Sequence, residues 1–268
     1  MIAAETRRIY AFFARDMQMA VSYPLDFAQR IVLVLFQIVL LYFFSLLIGT
    51  NPTLSRFGGY LPFAAIGMAI LAYFQTGFTT FSQAIRREQT TGTLEAVLMT
   101  PTSIASFLLG SSIWSYAWST LTAIIFLFGA SWLYHIDIKG SYLLALALLI
   151  LMTLFFASLG IVSAAFVLVF KRGDPLGFFV GTFSALLGGA FFPIGVFPEW
   201  LQKVSYLIPL RYGLDGLRAI LLEGRTFAET WPEFAAVTVF DLVLVPASFY
   251  LFYRALRRAK REGTLLQY

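Results

Sequence analysis

The run IVLVLFQIVLLYFFSLLI, Ile31 to Ile48, holds eighteen residues and no charge. At about 1.5 Å per residue, a helix of that length covers most of the roughly 30 Å hydrocarbon core of a bilayer. The run is not isolated. Further apolar stretches at Phe57 to Phe81, Ile104 to Leu133, Ser141 to Phe170, Leu176 to Ile194 and Phe234 to Tyr253 predict five more spans, six in all. A chain of 268 residues that is 59% hydrophobic and 12% charged, with 29 Phe and 13 Tyr, cannot hide its apolar surface in one water-soluble core. The fold class that follows is an all-α integral membrane protein.

The formal charge of +5 does not point to nucleic acid, because the basic residues flank apolar runs instead of forming a patch with stacking aromatics. They read as topology signals. With the N-terminus inside, thirteen Lys and Arg fall on the cytoplasmic side and six on the other, which places both termini in the cytoplasm. No cysteine is present, so disulfides and thiolate metal sites are excluded, and His135, the single histidine, makes no metal site alone. Glu5, Arg7, Arg8, Arg15 and Asp16 precede any apolar run, so the start does not read as a cleavable signal peptide.

Residues 1–30 are too polar to span. Ile9, Phe12, Phe13, Met17 and Ala20 share one helical face, and Glu5, Arg8, Arg15 and Gln18 the other, which predicts an amphipathic helix in the headgroup layer, broken at Tyr23-Pro24. It serves either as an anchor or as a gate for amphipathic substrates.

Between the second and third spans, residues 82–103 interrupt the apolar pattern with SQAIRREQTTGTLEAVLMTPTS. Two readings stand. One is a solvated loop, with Arg86 and Arg87 holding it in the cytoplasm and Gly92 making a turn. The other is a short helix capped by Thr91 or Thr93, with Glu95 in its first turn and a stop at Thr100-Pro101; it exposes Leu94, Val97 and Leu98 as a docking surface. On the opposite side, residues 197–226 predict a re-entrant helical hairpin: Pro198 and Glu199 start one helix, Pro209 ends it, and a second runs from Leu210 to Glu223. In the second helix Arg211, Asp215 and Arg218 recur at i, i+4 and i+7, where the acid can pair with both bases, either as a structural tie or as part of a gate. Within the spans the one ionisable residue is Asp241, expected to bond to a nearby Ser, Thr or Tyr or to lie near the outer boundary. That scarcity disfavours the alternative of an ion-coupled secondary transporter or channel, and no paired carboxylates or nucleophile constellation at a boundary supports a membrane enzyme.

Two stretches resemble the ABC-2 type exporter permeases: RREQTTGTLEAVLMTPTS, similar to that family's cytoplasmic Arg-Glu, Gly-Thr-Leu-Glu and Thr-Pro motif, and the segment from Gly173 to Gly224, similar to its fifth helix and external hairpin. Tyr212, Asp215 and Arg218 match the family's positions there, while Ile208-Pro209 departs from its commoner Asn-Pro. The resemblance implies a six-helix transmembrane domain over residues 31–268, embedded in a bacterial-type inner membrane. It also implies a coupling helix, with Arg87, Glu88, Gly92, Thr93, Leu94, Glu95 and Leu98 as ATPase-coupling residues, seated on two cytosolic ATPase subunits that carry ATP and Mg. A second permease subunit, identical or not, is implied as well, with first, second and fifth helices lining a passage; Phe36, Tyr42, Phe43, Phe179 and Phe183 are its candidate wall, and Phe191 and Phe192 its outer constriction. The chain itself has no Gly-Lys pair, hence no phosphate-binding loop, no cofactor of its own and no catalytic residue. The aromatic content suits an amphipathic drug or a lipid-linked polysaccharide equally.

Overall fold

The computed structural model describes residues 2–49, 52–100, 103–134, 138–170 and 175–261. It is helical, with no strand among the described residues. In chain order the elements are α1 (Ile2–Ser22), α2 (Pro24–Ile48), α3 (Pro52–Ser55), α4 (Tyr60–Thr90), α5 (Leu94–Met99), α6 (Ile104–Tyr134), α7 (Tyr142–Phe170), α8 (Pro175–Leu187), a 3-10 turn at Ile194–Val196, α9 (Glu199–Ser205), α10 (Pro209–Leu221) and α11 (Trp231–Arg261). Proline opens α2 and α10 at their first turn, where its missing N–H costs nothing and its fixed φ suits a helix.

Five described helices, α2, α4, α6, α7 and α11, are long and apolar enough to cross a bilayer. The expected fifth span, Leu176 to Ile194, is helical over α8 and its helix ends earlier than expected, at Leu187. The described part of α8 has 13 residues, about 20 Å at 1.5 Å per residue. Gly189 stops it by taking φ 80, a left-handed value that side chains resist. Leu168, in the last turn of α7, lies at the α5 end, whereas Ala190 lies beside Gly67 near the start of α4, so the segment carries the chain from one end of the bundle to the other before α9 and α10.

Helix α4 is the mast of the fold. It packs on α6, α7, α2, α8 and α10, while α11 lies along α7 and α1 along α6. One apolar core surrounds the first two-thirds of α4 and includes Leu61, Phe74, Leu148, Phe156, Leu210 and Leu214. A second, at the α5 end, joins Phe81 and Ile85 of α4 to Leu94, Phe107, Leu168, Phe252 and Leu256. By contrast, α2 buries only Val34, Ile38, Leu41 and Ser45, a single stripe at helical spacing.

In lipid, helices gain nothing from burying one apolar face against another, so close backbone approach and its dispersion energy decide the packing. The α4–α7 crossing shows this. A Cβ on Gly160 would lie 1.9 Å from the Gly77 carbonyl oxygen, and one on Gly77 would lie 2.4 Å from the Phe156 Cβ. Even alanine at position 160 must push the two backbones apart. We expect Gly160→Ala to cost about 1–3 kcal/mol and lower the thermal midpoint of the detergent-purified protein. Gly195→Ala, at a position with nothing within 4 Å, should leave the same scan unchanged.

Candidate functional site

At the α5 end of the bundle, four charges alternate along a chain of contacts. Arg87 Nη2 donates to Asp16 Oδ1 at 2.8 Å, Arg15 Nε to the same oxygen at 3.1 Å, and Arg15 Nη1 to Glu88 Oε1 at 2.9 Å. The Thr93 hydroxyl donates to the other Glu88 oxygen. Glu88 is 5% exposed, so its charge has left water and depends on these partners. The group joins the end of α4 to α1 across more than seventy residues of sequence. Helix α1 is held further along by Phe12 against Phe107 and Phe13 against Trp114, and by the Ser106 hydroxyl, whose hydrogen bond is the main cause holding the Glu5 carboxyl below its usual range.

This geometry corrects several expectations. Glu88 faces α1 instead of an outside partner. Leu94 is 1% exposed and belongs to the second core, contrary to its expected exposure; Met99 is 78% exposed, with Ala96 also outward and Val97 half-buried. Neither threonine caps α5 with its side chain: Thr91 donates to the Arg87 carbonyl, and Thr93 bonds Glu88. Gly92 makes the turn at φ 71, in open space. Thr100 is extended, as a residue before proline prefers. The side chains of Glu95 and Leu98, like Pro101, lie outside the described residues.

Beside this junction lies a cleft of about 900 Å³ between the α1–α2 hinge, the last turns of α4 and the first half of α6. Trp114 and Trp118, one turn apart on α6, form its aromatic wall, with Phe27 5.1 Å from Trp118 and the Arg30 guanidinium 5.9 Å from the same ring. Ser111, Ser115, Thr80 and Gln83 supply hydroxyl and amide groups, and Asp16, Asp26 and Arg87 ring the mouth. A volume in this range, apolar walls and a few polar groups suit a ligand with a polar head and an apolar body.

The hairpin end holds a different device. Arg211 pairs with Asp215 at 3.6 Å, donates to Ser205 Oγ at 2.6 Å and covers the Tyr206 ring, while the Tyr212 hydroxyl donates to the Tyr206 carbonyl at 2.9 Å; together they tie α10 to α9. The expectation that Asp215 pairs with both arginines fails at Arg218. That side chain is 1% exposed and forms no ion pair among the described residues; it donates to the carbonyls of Phe63 (3.2 and 3.1 Å), Gly189 (2.9 Å) and Ala190 (3.2 Å), with its guanidinium 3.4 Å from the Phe63 ring centroid. The carbonyls of Gly189 and Ala190 follow the end of α8, where a helix leaves acceptors unsatisfied. A Cβ on Gly67 would lie 2.1 Å from the Ala190 oxygen, so that glycine opens the notch into which the α8 terminus fits.

The aromatic candidates divide. Phe36, Phe43, Phe179, Phe183 and Phe192 are exposed on the single chain, whereas Tyr42 and Phe191 are half-buried against the main core. Asp241 is buried, and neither carboxylate oxygen has a hydrogen-bond partner among the described residues, so the first of its two expected settings, a bond to a Ser, Thr or Tyr, is not seen there. His135 lies outside the described residues.

Two measurements test the two clusters. Glu88→Ala should cost about 2 kcal/mol, the scale of a charge-assisted hydrogen bond left unpaired, and Arg15→Ala, at a more exposed group, less. Their midpoint shifts should fall short of adding in the double variant; full additivity would show that the two groups do not act together. Arg218→Lys should lower the midpoint by more than either, because an ammonium cannot fork between three carbonyls.

Comparison with known proteins places this arrangement. The sequence profile of the family described as ABC-2 type transporter matches residues 8–222. Nodulation protein J of Bradyrhizobium diazoefficiens is 30% identical over 224 residues, covering 80% of this chain and 82% of that protein. The Probable multidrug ABC transporter permease YbhR of Escherichia coli is 25% identical over 174 residues, covering 65% of this chain and 47% of that protein, so the chain spans about half the length of this relative. The match runs from within α1 to the end of α10, and on that ground the chain belongs to the ABC-2 type transporter family.

Proposed function

We propose that the chain is the membrane subunit of an ATP-driven exporter that carries an amphipathic or lipid-linked substrate outward from the cytoplasmic side. Two cytosolic ATPase subunits, holding ATP and Mg, dock on the turn and helix from Gly92 to Met99. A second permease subunit, identical or not, faces this one across a passage walled by Phe36, Tyr42, Phe43, Phe179 and Phe183, with Phe191 and Phe192 at its outer end. The excess of Lys and Arg on one side supports a cytoplasmic location for both termini and for α5, in a bacterial-type inner membrane.

One observation carries this reading. Helix α5 offers Ala96 and Met99 to the outside while Leu94 locks it into a core shared with α4, α6, α7 and α11. The residues before it, Arg87 and Glu88, hold α1 through Asp16 and Arg15, at the rim of the Trp114–Trp118 cleft. A push on α5 from an ATPase therefore has a direct mechanical route to the cleft wall. The cleft takes the polar head of the substrate, and its mouth, where α1 meets α2, is the entry from the cytoplasmic leaflet.

The test is co-purification. Affinity-tagged wild type should retain ATP hydrolysis in the eluate, with an ATPase subunit identified by mass spectrometry. Met99→Glu, which places a charge on the proposed contact and touches no core residue, should cut that activity by about tenfold, a loss of about 1.4 kcal/mol, with an unchanged midpoint. A wild type that brings down no ATPase would instead favour an ion-coupled transporter or a channel.

A further inference from the structure

The last helix ends in a charged face that the proposed transport cycle does not use. Its aromatic markers fix the depth of that face. Trp231 and Tyr250 are 57% and 64% exposed and lie nineteen positions apart, about 28 Å along a helix, close to the hydrocarbon thickness. Trp and Tyr concentrate at the two membrane–water boundaries, so Tyr250 and Tyr253 mark one of them. Arg254, Arg257, Arg258 and Arg261 follow at i, i+3, i+4 and i+7, one turn further out, at headgroup level.

With the two tyrosines, the four arginines line a groove of about 570 Å³. All six side chains are exposed. The opposite side of the same turns, Phe252, Ala255, Leu256 and Ala259, is buried in the second core beside Leu94 of α5. The arginines are thus displayed by a fixed helix. Residues 251–261 contain no acid, and among the described residues Arg254, Arg257 and Arg261 form no ion pair. Like charges at i, i+3 and i+7 repel, and that cost calls for an anion.

We infer that this face is a binding site for the phosphate headgroup of an anionic phospholipid. The guanidinium forks grip the phosphate oxygens, and the exposed tyrosine rings lie along the upper acyl chain. A lipid is preferred to a protein surface because the charged groove continues directly from the aromatic boundary, with the apolar outer face of α11 (Val239, Leu242, Val243) leading down from it. Because the other face of these turns shares a core with Leu94, an occupied site stiffens the seat of α5. The site stands whichever side of the membrane it faces.

The full-length protein in lipid nanodiscs tests this. Phosphatidylglycerol should raise the thermal midpoint above that in phosphatidylcholine, and native mass spectrometry from an equal mixture should retain phosphatidylglycerol preferentially. Each arginine replaced by Gln at 254, 257 and 261 should lower that preference by about fivefold at low salt. The triple variant should keep the wild-type midpoint in phosphatidylcholine, which shows that it folds. The inference fails if wild type shows no preference, or if the triple variant keeps it. It fails too if millimolar inorganic phosphate reproduces the stabilisation, since the site would then take a free anion. None of these readouts depends on an ATPase, so they separate this site from the transport proposal.

Discussion

The close crossing of α4 and α7 at Gly77 and Gly160 is the constraint from which the rest of the molecule is positioned. In a solvent as apolar as the side chains themselves, van der Waals contact takes the place of the hydrophobic drive, and it favours helices whose backbones can touch. With that crossing made, α4 runs as a bar of 31 residues between the two polar devices. Its first turns lend the Phe63 carbonyl to Arg218, and its last turns hold Arg87 and Glu88 against α1. The two ends are therefore mechanically continuous.

Those ends use opposite electrostatic solutions. At the α5 end, two acids and two bases alternate, so the cluster is neutral overall and partly wet: Arg87 and Arg15 keep 40% and 31% of their side chains exposed. The arginines, which water can reach, exchange partners at lower cost than the largely buried acids Glu88 and Asp16 would. At the hairpin end a single guanidinium is removed from water and satisfied by fixed backbone dipoles and an aromatic ring, which makes the contact expensive to open. A compliant joint thus sits on the side proposed for ATPase docking, and a stiff one on the other.

Much of this was legible in the sequence, and the failures have physical causes. The apolar runs, the Tyr23-Pro24 break, the Gly92 turn and the helix start at Pro198-Glu199 are local signals, and the helices follow them; Pro209 opens α10 instead of ending α9, which stops at Ser205. The end of α8 is not local in that sense: Ala190, Phe191 and Phe192 continue the apolar run past Gly188-Gly189, and hydropathy does not register a change of φ. Leu94 sits in a charged, short stretch and reads as outward because its burial comes from α6, α7 and α11, distant in sequence. Glu88 finds its partner 73 residues away. The signal that was available was the Arg15-Asp16 doublet on the amphipathic helix, complementary in sign to Arg87-Glu88.

Arg218 leads to a point about heredity. A side chain that bonds other side chains shares its fate with them, because a change at any partner breaks the contact. The acceptors of Arg218 are main-chain carbonyls, which every residue at positions 63, 189 and 190 would carry, whatever its side chain. Side chains at 63 and 190 can change and the acceptors persist. Genetic vulnerability is therefore concentrated in the donor itself, in Gly189, whose φ of 80 side chains resist, and in Gly67, where any Cβ would close the notch against the Ala190 carbonyl.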